Sequence, residues 1–255
     1  MDRFVLVVPC YNEQDRLDVR EFQTAQLRHA RIEFVFVDDG SRDATREVIE
    51  RIREGRPSDV RVVAYGNNQG KAEAVRLGTL EALKTGPDAV GYWDADLATP
   101  LSELEGFAQI LETKPGVDVV MGSRVQLMGR DIRRRAWRHY AGRVFATAAS
   151  VTIGLPVYDT QCGAKLFRVT ERLSKVFERP FVSRWIFDVE ILARFIALDP
   201  RGASGVSEAI VEYPLDRWMD VRGSKLKTVD FLRAASELGL IRRTYGGSLG
   251  RERSP

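Results

Sequence analysis

Five short apolar runs set the frame of this chain: FVLVV at residues 4–8, IEFVFV at 32–37, VRVVA at 60–64, AVGYW at 89–93 and VDVVM at 117–121. Each has the length and β-branched content of a strand. The stretches between them predict helices over residues 13–30, 43–54 (with Ser41 as a cap), 71–84 and 101–112, the last behind Pro100. Strands that are apolar on both faces and alternate with helices imply an α/β fold, a mostly parallel sheet flanked by helices. Such sheets bind ligands at the carboxyl ends of their strands. The polar residues fall there: Pro9 to Glu13, Asp38 to Ser41, Asn67 to Lys71, Asp94 to Asp96 and Gly122 to Arg124.

The second half reads differently. Residues 130–152 predict one long amphipathic helix, with Trp137, Tyr140, Ala141, Val144, Phe145 and Ala148 on a single stripe. Its first part carries Arg130, Arg133, Arg134, Arg135, Arg138, His139 and Arg143 against one acid, Asp131. A loop over 154–163, a strand over 165–168, a helix over 188–198, a strand over 206–213 and a helix over 228–242 follow. No linker rich in Pro or Ser interrupts the chain, so residues 1–245 are expected to form one domain and 246–255 a disordered tail.

Composition narrows the function classes. A hydrophobic content of 44% supports a full core, and a net charge of +3 argues against nucleic acid as a partner. The two cysteines, Cys10 and Cys162, form no disulfide framework, which points to a reducing compartment. No run of 18 apolar residues occurs, so no membrane-spanning helix is expected, and the apolar stretch before Pro9 is too short for a signal peptide. The expected location is cytoplasmic, with peripheral contact at the inner face of a membrane through the 130–152 segment.

Two carboxylates close the fourth run. Asp94 and Asp96 are one residue apart, so in an extended chain they share a face and repel unless a cation lies near. Hard oxygen ligands suit Mg²⁺ or Mn²⁺, which use one or two carboxylates plus substrate phosphates. A capped turn before Pro100 is the structural alternative. Neither a dinucleotide G-x-G-x-x-G nor a P-loop is present. Gly70 and Lys71 alone fit a turn glycine and a solvated lysine equally well. Asp38 to Ser41 fit either an Asx turn or a carboxylate on a ribose hydroxyl or base. Asp188 and Glu190 interrupt an apolar run, and Arg184, four residues before Asp188, offers a helical salt bridge. Trp185 and Phe187 fit a plain core, and Cys162 is assigned no chemistry.

VVPCYNE, VDDGS, NNQGKAEAV, DADLATP and GSR, in this order, resemble the family 2 glycosyltransferases of GT-A fold. DTQCGAKLFR, RWIFDVEIL and RGSKL are similar to the dolichyl-phosphate (polyprenyl-phosphate) β-glucosyltransferase branch. The resemblance runs from about residue 7 to 226. It implies that Pro9, Tyr11, Glu13 and Asp39 frame the nucleotide, with Gly70, Lys71 and Ala95 on the nucleotide-sugar side. Asp94 and Asp96 match the D-x-D pair that holds the metal and donor diphosphate. Arg124 and Lys225 would contact phosphate, and Asp159 matches an acid near the acceptor. Ala98 stands where mannosyl-phosphate relatives usually carry Gln, as in the glucosyl branch. Eukaryotic members of that branch begin with a membrane helix.

The implied reaction is inverting transfer of glucose from UDP-glucose, a nucleotide-sugar donor, to a lipid phosphate. The acceptor phosphate is already charged ~−1.5 to −2 at neutral pH, so cations that position it matter more than a strong base. Arg124, Arg133, Arg134, Arg135 and Lys225 are the candidates, with Asp159 or Asp188 orienting them or taking up the residual proton. The alternatives are a GDP-mannose-dependent mannosyltransferase, a same-fold enzyme with a soluble hydroxyl acceptor and Asp188 as base, and a non-catalytic nucleotide-sugar-binding module.

Overall fold

The structure is a computed structural model that describes residues 1–133, 136–221 and 228–249. The side chains of the first three strands alternate between two cores. Phe4, Leu6, Val8, Phe34 and Phe36 pack on one face with Ile49, Ile52, Leu104 and Phe107. Val5, Val7, Val35 and Val37 pack on the other with Val75, Ala82, Ile191 and Phe195. Strands apolar on both faces therefore lie between two helical layers, each fully buried Val, Leu, Ile or Phe contributing about 1.5–3 kcal/mol.

β1 (Arg3–Cys10), β2 (Arg31–Asp38), β3 (Val60–Ala64) and β4 (Ala89–Trp93) are parallel, in the order β3-β2-β1-β4. β5 (Val119–Ser123) does not pair with β4. β7 (Ala164–Arg168) inserts between them, antiparallel to both, and β8 (Ile210–Pro214) runs parallel to β5 at the edge. β6 (Asp131–Arg133) and β9 (Arg217–Met219) form a separate two-stranded sheet. α2 (Thr45–Gly55) and α4 (Leu104–Thr113) cover one face; α3 (Lys71–Leu83), α6 (Glu171–Glu178) and α7 (Phe187–Leu198) cover the other. α4 follows a 3-10 turn, Leu101–Glu103.

Several expected boundaries change, each for a local reason. The helix expected over 13–30 shrinks to α1 (Val19–Thr24), capped by Asp18, whose carboxylate accepts from Glu21 N. The residues before it are drawn into turns by bonds to the 43–45 segment: Glu13 N donates to Thr45 Oγ1 (2.7 Å) and Ala44 N to Gln14 Oε1 (2.8 Å). Ser41 does not cap α2; its Oγ accepts from Asn12 N, while Asp43 accepts from Thr45 N. Residues 131–133 leave the long helix to pair with β9, so α5 spans Ala136–Ile153. The strand expected over 206–213 divides into α8 (Ala203–Ala209) and β8. α9 (Thr228–Leu249) continues past residue 242 and takes in 246–249, the first residues of the expected tail. Tyr245 anchors that last part, its hydroxyl donating to Glu190 (2.9 Å) and accepting from Arg194 (3.0 Å).

Away from the strand ends that carry the polar motifs, Glu33 sits buried on β2 with Arg3 at 2.6 Å, Arg31 at 3.5 Å and Arg61 at 3.6 Å. The hydrogen bond from Arg3 and the three guanidinium charges outweigh burial and hold its carboxyl below the usual glutamate range. Its stabilisation is therefore present above the unfolded-state pKa and lost as pH falls through the lower folded-state one. Glu33→Gln is expected to cost about 1–3 kcal/mol at pH 7. Thermal melts should show the gap to wild type closing as pH falls below the usual glutamate range; a gap unchanged with pH would refute the ionic account.

Candidate active site

At the carboxyl ends of β1 and β2, two loops are sewn together. Asn12, at φ +54°, accepts from Arg42 N through Oδ1 (2.9 Å), and Asp39 N donates to Cys10 O (2.9 Å). Gly40, at φ +72°, passes so close to the 67–68 backbone that a Cβ would lie 2.8 Å from Asn67 C and Asn68 N. Asp39 is 2% exposed, and its carboxylate accepts from Gln69 N (2.7 Å) and Gly70 N (2.8 Å). Burial pushes its carboxyl up, partly offset by those two amides. Asp39 thus fixes the loop that leads into α3. Pro9, Tyr11 and Glu13 line the same end of the sheet, with Glu13 paired to Arg16 at 2.6 Å.

β4 delivers Asp94, Ala95 and Asp96 beside this loop. Lys71, in the first turn of α3, reaches Asp94 at 2.5 Å, which brings the two motifs onto one site. Asp96 accepts from Ala98 N (3.1 Å), and Leu97 takes φ +49°, a left-handed backbone uncommon for a bulky residue. Burial and the Asp94 charge push the Asp96 carboxyl up. On the other side Asp94 N donates to Gly163 O (3.0 Å), and a Cβ on Gly163 would run into the Asp94 carboxylate.

The donor set fits a divalent cation that arrives with its own ligands. Two carboxylates stand together, one already next to a cationic ammonium. Among the described residues no cluster of three or more His, Cys, Asp or Glu side chains could hold a metal alone. A hard ion bound here would take Asp94 and Asp96 and complete its shell with phosphate and water.

The 159–163 loop separates this pair from the end of β5. Arg124 grips Asp159 through two bonds, Nε to Oδ2 at 2.6 Å and Nη2 to Oδ1 at 2.7 Å, and its backbone N donates to the same carboxylate. The Asp159 charge and hydrogen bond outweigh burial and raise the Arg124 guanidinium above its ordinary value. Glu212 on β8 accepts from Tyr158 N and Asp159 N and holds the loop from below. Arg124, Arg143, Tyr158, Asp159, Thr160 and Gln161 line a narrow cleft. Thr160 Oγ1 and Gln161 Nε2 are buried and have no hydrogen-bond partner among the described residues. Arg143 lies over the Tyr158 ring at 3.6 Å. Arg133 is elsewhere, on β6, exposed and paired with Asp131 at 2.9 Å. Arg134, Arg135 and Lys225 lie outside the described residues.

Asp188 does not pair with Arg184. α7 begins only at Phe187, so the helical spacing that would join them is absent. Asp188 instead accepts from Lys165 Nζ (2.6 Å) and from the Tyr92 hydroxyl. Lys165 is fully buried on β7 and also donates to Thr160 O (2.9 Å) and Cys162 O (2.8 Å). One ammonium therefore ties the 159–163 loop to α7, and Asp188 is 5% exposed behind the site. Glu190 pairs with Arg194 at 2.7 Å. Sequence reasoning gave no site role to Lys165, Thr160 or Gln161 and counted Arg143 only in the basic run of the 130–152 segment. Lys165 left a local signal, as a charge inside the apolar β7 run AKLF.

The apolar stripe expected on the 130–152 segment lies on α5 and turns largely outward, with Phe145 alone of its large side chains packed against the core. Trp137, Tyr140 and Val144 are 48%, 70% and 73% exposed, while Ala146, Ala149 and Ile153 face the core. With Leu127, Met128 and Val151 they account for six of nine large exposed apolar side chains among the described residues. No helix of the described residues is long and apolar enough to cross a membrane.

Comparison with known proteins follows the same outline. The family model described as glycosyl transferase family 2 matches residues 5–172. A dolichyl-phosphate beta-glucosyltransferase of Homo sapiens is 30% identical over 257 residues, covering 94% of this chain and 75% of that protein. The Saccharomyces cerevisiae protein of the same name is 32% identical, covering 94% and 74%. Among solved structures, glucosyl-3-phosphoglycerate synthase from Mycobacterium tuberculosis with Mn²⁺ and UDP-glucose superposes with a TM-score of 0.68 at 17% identity, over 96% of this chain and 79% of that one. A mannosyltransferase from Pyrobaculum calidifontis with GDP-mannose and Mn²⁺ gives 0.64 at 18%, over 99% and 66%. At such identities the structural likeness shows the fold.

Proposed function

The chain belongs to glycosyl transferase family 2, and on that premise we propose that it moves glucose from UDP-glucose to a polyprenyl phosphate of the dolichyl type, with inversion. One observation carries the reading beyond the family: the 159–163 loop stands between a carboxylate pair and an arginine cleft. Asp94 N bonds its Gly163 end and Arg124 its Asp159 end. A nucleotide diphosphate and an acceptor phosphate would thus meet across a single loop. Relatives at 30% and 32% identity that are named dolichyl-phosphate beta-glucosyltransferases support the glucosyl group and the acceptor.

On this reading Pro9, Tyr11 and Glu13 line the nucleotide, and Asp39 acts through the 69–70 amides that it fixes. Gly70 and Lys71 sit beside the diphosphate, with Ala95 between the two acids. Asp94 and Asp96 would hold Mg²⁺ or Mn²⁺, which when bound neutralises charge on the departing UDP. Arg124 and Arg143, with Thr160 Oγ1 and Gln161 Nε2, receive the acceptor phosphate. Arg133, Arg134, Arg135 and Lys225 remain candidates for guiding it in. An acceptor oxygen attacks C1 of glucose while the C1–O bond to UDP breaks; the oxygen carries its own negative charge, so no strong base is required. Asp159 orients Arg124, and Asp188, occupied by Lys165 and Tyr92, serves as support.

Asp96→Asn should leave the melting temperature within a few degrees of wild type and cut turnover at least a hundredfold. UDP should compete with the donor at lower concentration than GDP. Full activity of the variant in EDTA, or stronger competition by GDP, would contradict the reading.

The acceptor's location gives the exposed face of α5 a role. We assign it to peripheral docking on an anionic lipid surface, and propose the cytoplasmic face of a membrane as that surface. The apolar side chains at 127–128 and 137–151 would enter the headgroup layer. The arginines that precede Arg143 in the basic run from residue 130 would add roughly 1 kcal/mol each near the surface. Val144→Asp should keep the fold, reduce sedimentation with phosphatidylserine vesicles, and raise KM for the lipid acceptor but not for UDP-glucose. Unchanged sedimentation would refute the docking face.

A further inference from the structure

α9 lies outside the sheet's catalytic edge, yet one of its side chains reaches into the frame of the site. Glu237 Oε2 accepts from Ser183 Oγ (2.5 Å), Trp185 N (2.9 Å) and Ile186 N (3.1 Å). Ile186 immediately precedes α7 and has no side-chain cap of its own. The two amides just before that helix therefore reach a carboxylate from another helix, Ile186 N sharing itself with Ser183 Oγ (3.0 Å), and the carboxylate also places negative charge at α7's positive end. The preceding amides, Val182 N and Ser183 N, go to Glu190 at 3.1 and 2.7 Å. Two glutamates, one local and one from α9, thus hold the 182–186 turn.

That turn leads to the donor side. Arg184 Nη2 donates to Gln69 O (3.2 Å), and the same loop gives its Gln69 and Gly70 amides to Asp39 and its Lys71 ammonium to Asp94. We propose that Glu237 is a positioning residue for donor binding: by clamping the 183–186 turn it holds Arg184 against the 69–71 loop. This rests on the reading that the loop faces the nucleotide diphosphate. The turn has two charged tethers, on α9 and on α7, so releasing Glu237 loosens the turn without dismantling it. Arg184 itself is exposed, so its contact with Gln69 depends on where its backbone is held.

A double-mutant cycle on the full chain tests this, with UDP binding measured by calorimetry at constant Mn²⁺. Glu237→Gln and Arg184→Gln should each raise the Kd for UDP three- to tenfold. The double variant should bind no more weakly than the weaker single one, because both act through one turn. A purely structural Glu237 would lower the melting temperature and the binding-competent fraction while leaving Kd unchanged. That result, or effects that multiply in the double variant, would overturn the proposal. Should Glu237→Gln fail to fold, Glu237→Asp, which keeps the charge but shortens its reach, takes its place in the cycle. Wild type that does not bind UDP would instead refute the donor reading, and the assignment with it.

Discussion

The hydrogen bond between Asp94 N and Gly163 O (3.0 Å) decides how the site is assembled. It exists because β7 runs antiparallel between β4 and β5, so the chain entering β7 lies beside the chain leaving β4. Gly163 must lack a side chain there, since a Cβ would occupy the Asp94 carboxylate's space. Gly91, on β4, is constrained in the same way by Lys165 O. A glycine on β4 and another just before β7 let the 159–163 loop approach the carboxylate pair closely.

Electrostatics then divides the work. Asp94 and Asp96 stay close because Lys71 offsets one of them and a diphosphate-bound ion would offset both. Arg124 is held in a fixed orientation because Asp159 grips it through two bonds. Lys165, buried with Asp188 and two loop carbonyls, is the joint between these halves. Removing one partner of such a buried pair strands the other charge, which is costlier than losing a surface ion pair. The rigidity of the 159–163 loop is thus supplied from beneath.

The parallel half of the sheet was legible because its strands are largely apolar runs, broken only by Glu33 and Arg61, and hydrophobic patterning reports burial directly. The acids at 94 and 96 were legible for a related reason: like charges side by side require a cation. What stayed hidden depends on contacts between distant segments. Nothing local in AKLFR says that this strand inserts between β4 and β5, or that Lys165 will meet Asp188. The 13–17 segment keeps a helical pattern, yet its bonds to 43–45 hold it in turns. The α5 stripe had the right period, but period cannot tell a face that meets the core from one that meets solvent. Nothing local marks Glu237 on α9 as the acceptor for three donors of the 183–186 turn.

The central claim is a direct displacement at C1 of glucose by an acceptor phosphate held beside Arg124. Proton NMR of the product formed from UDP-glucose and a short polyprenyl phosphate reads this most directly, through the coupling between H1 and H2 of the glucosyl phosphate. The account predicts a β-linked glucosyl phosphate as the sole new sugar species. An α-linked product, or glucose attached through a hydroxyl with the polyprenyl phosphate untouched, would contradict it.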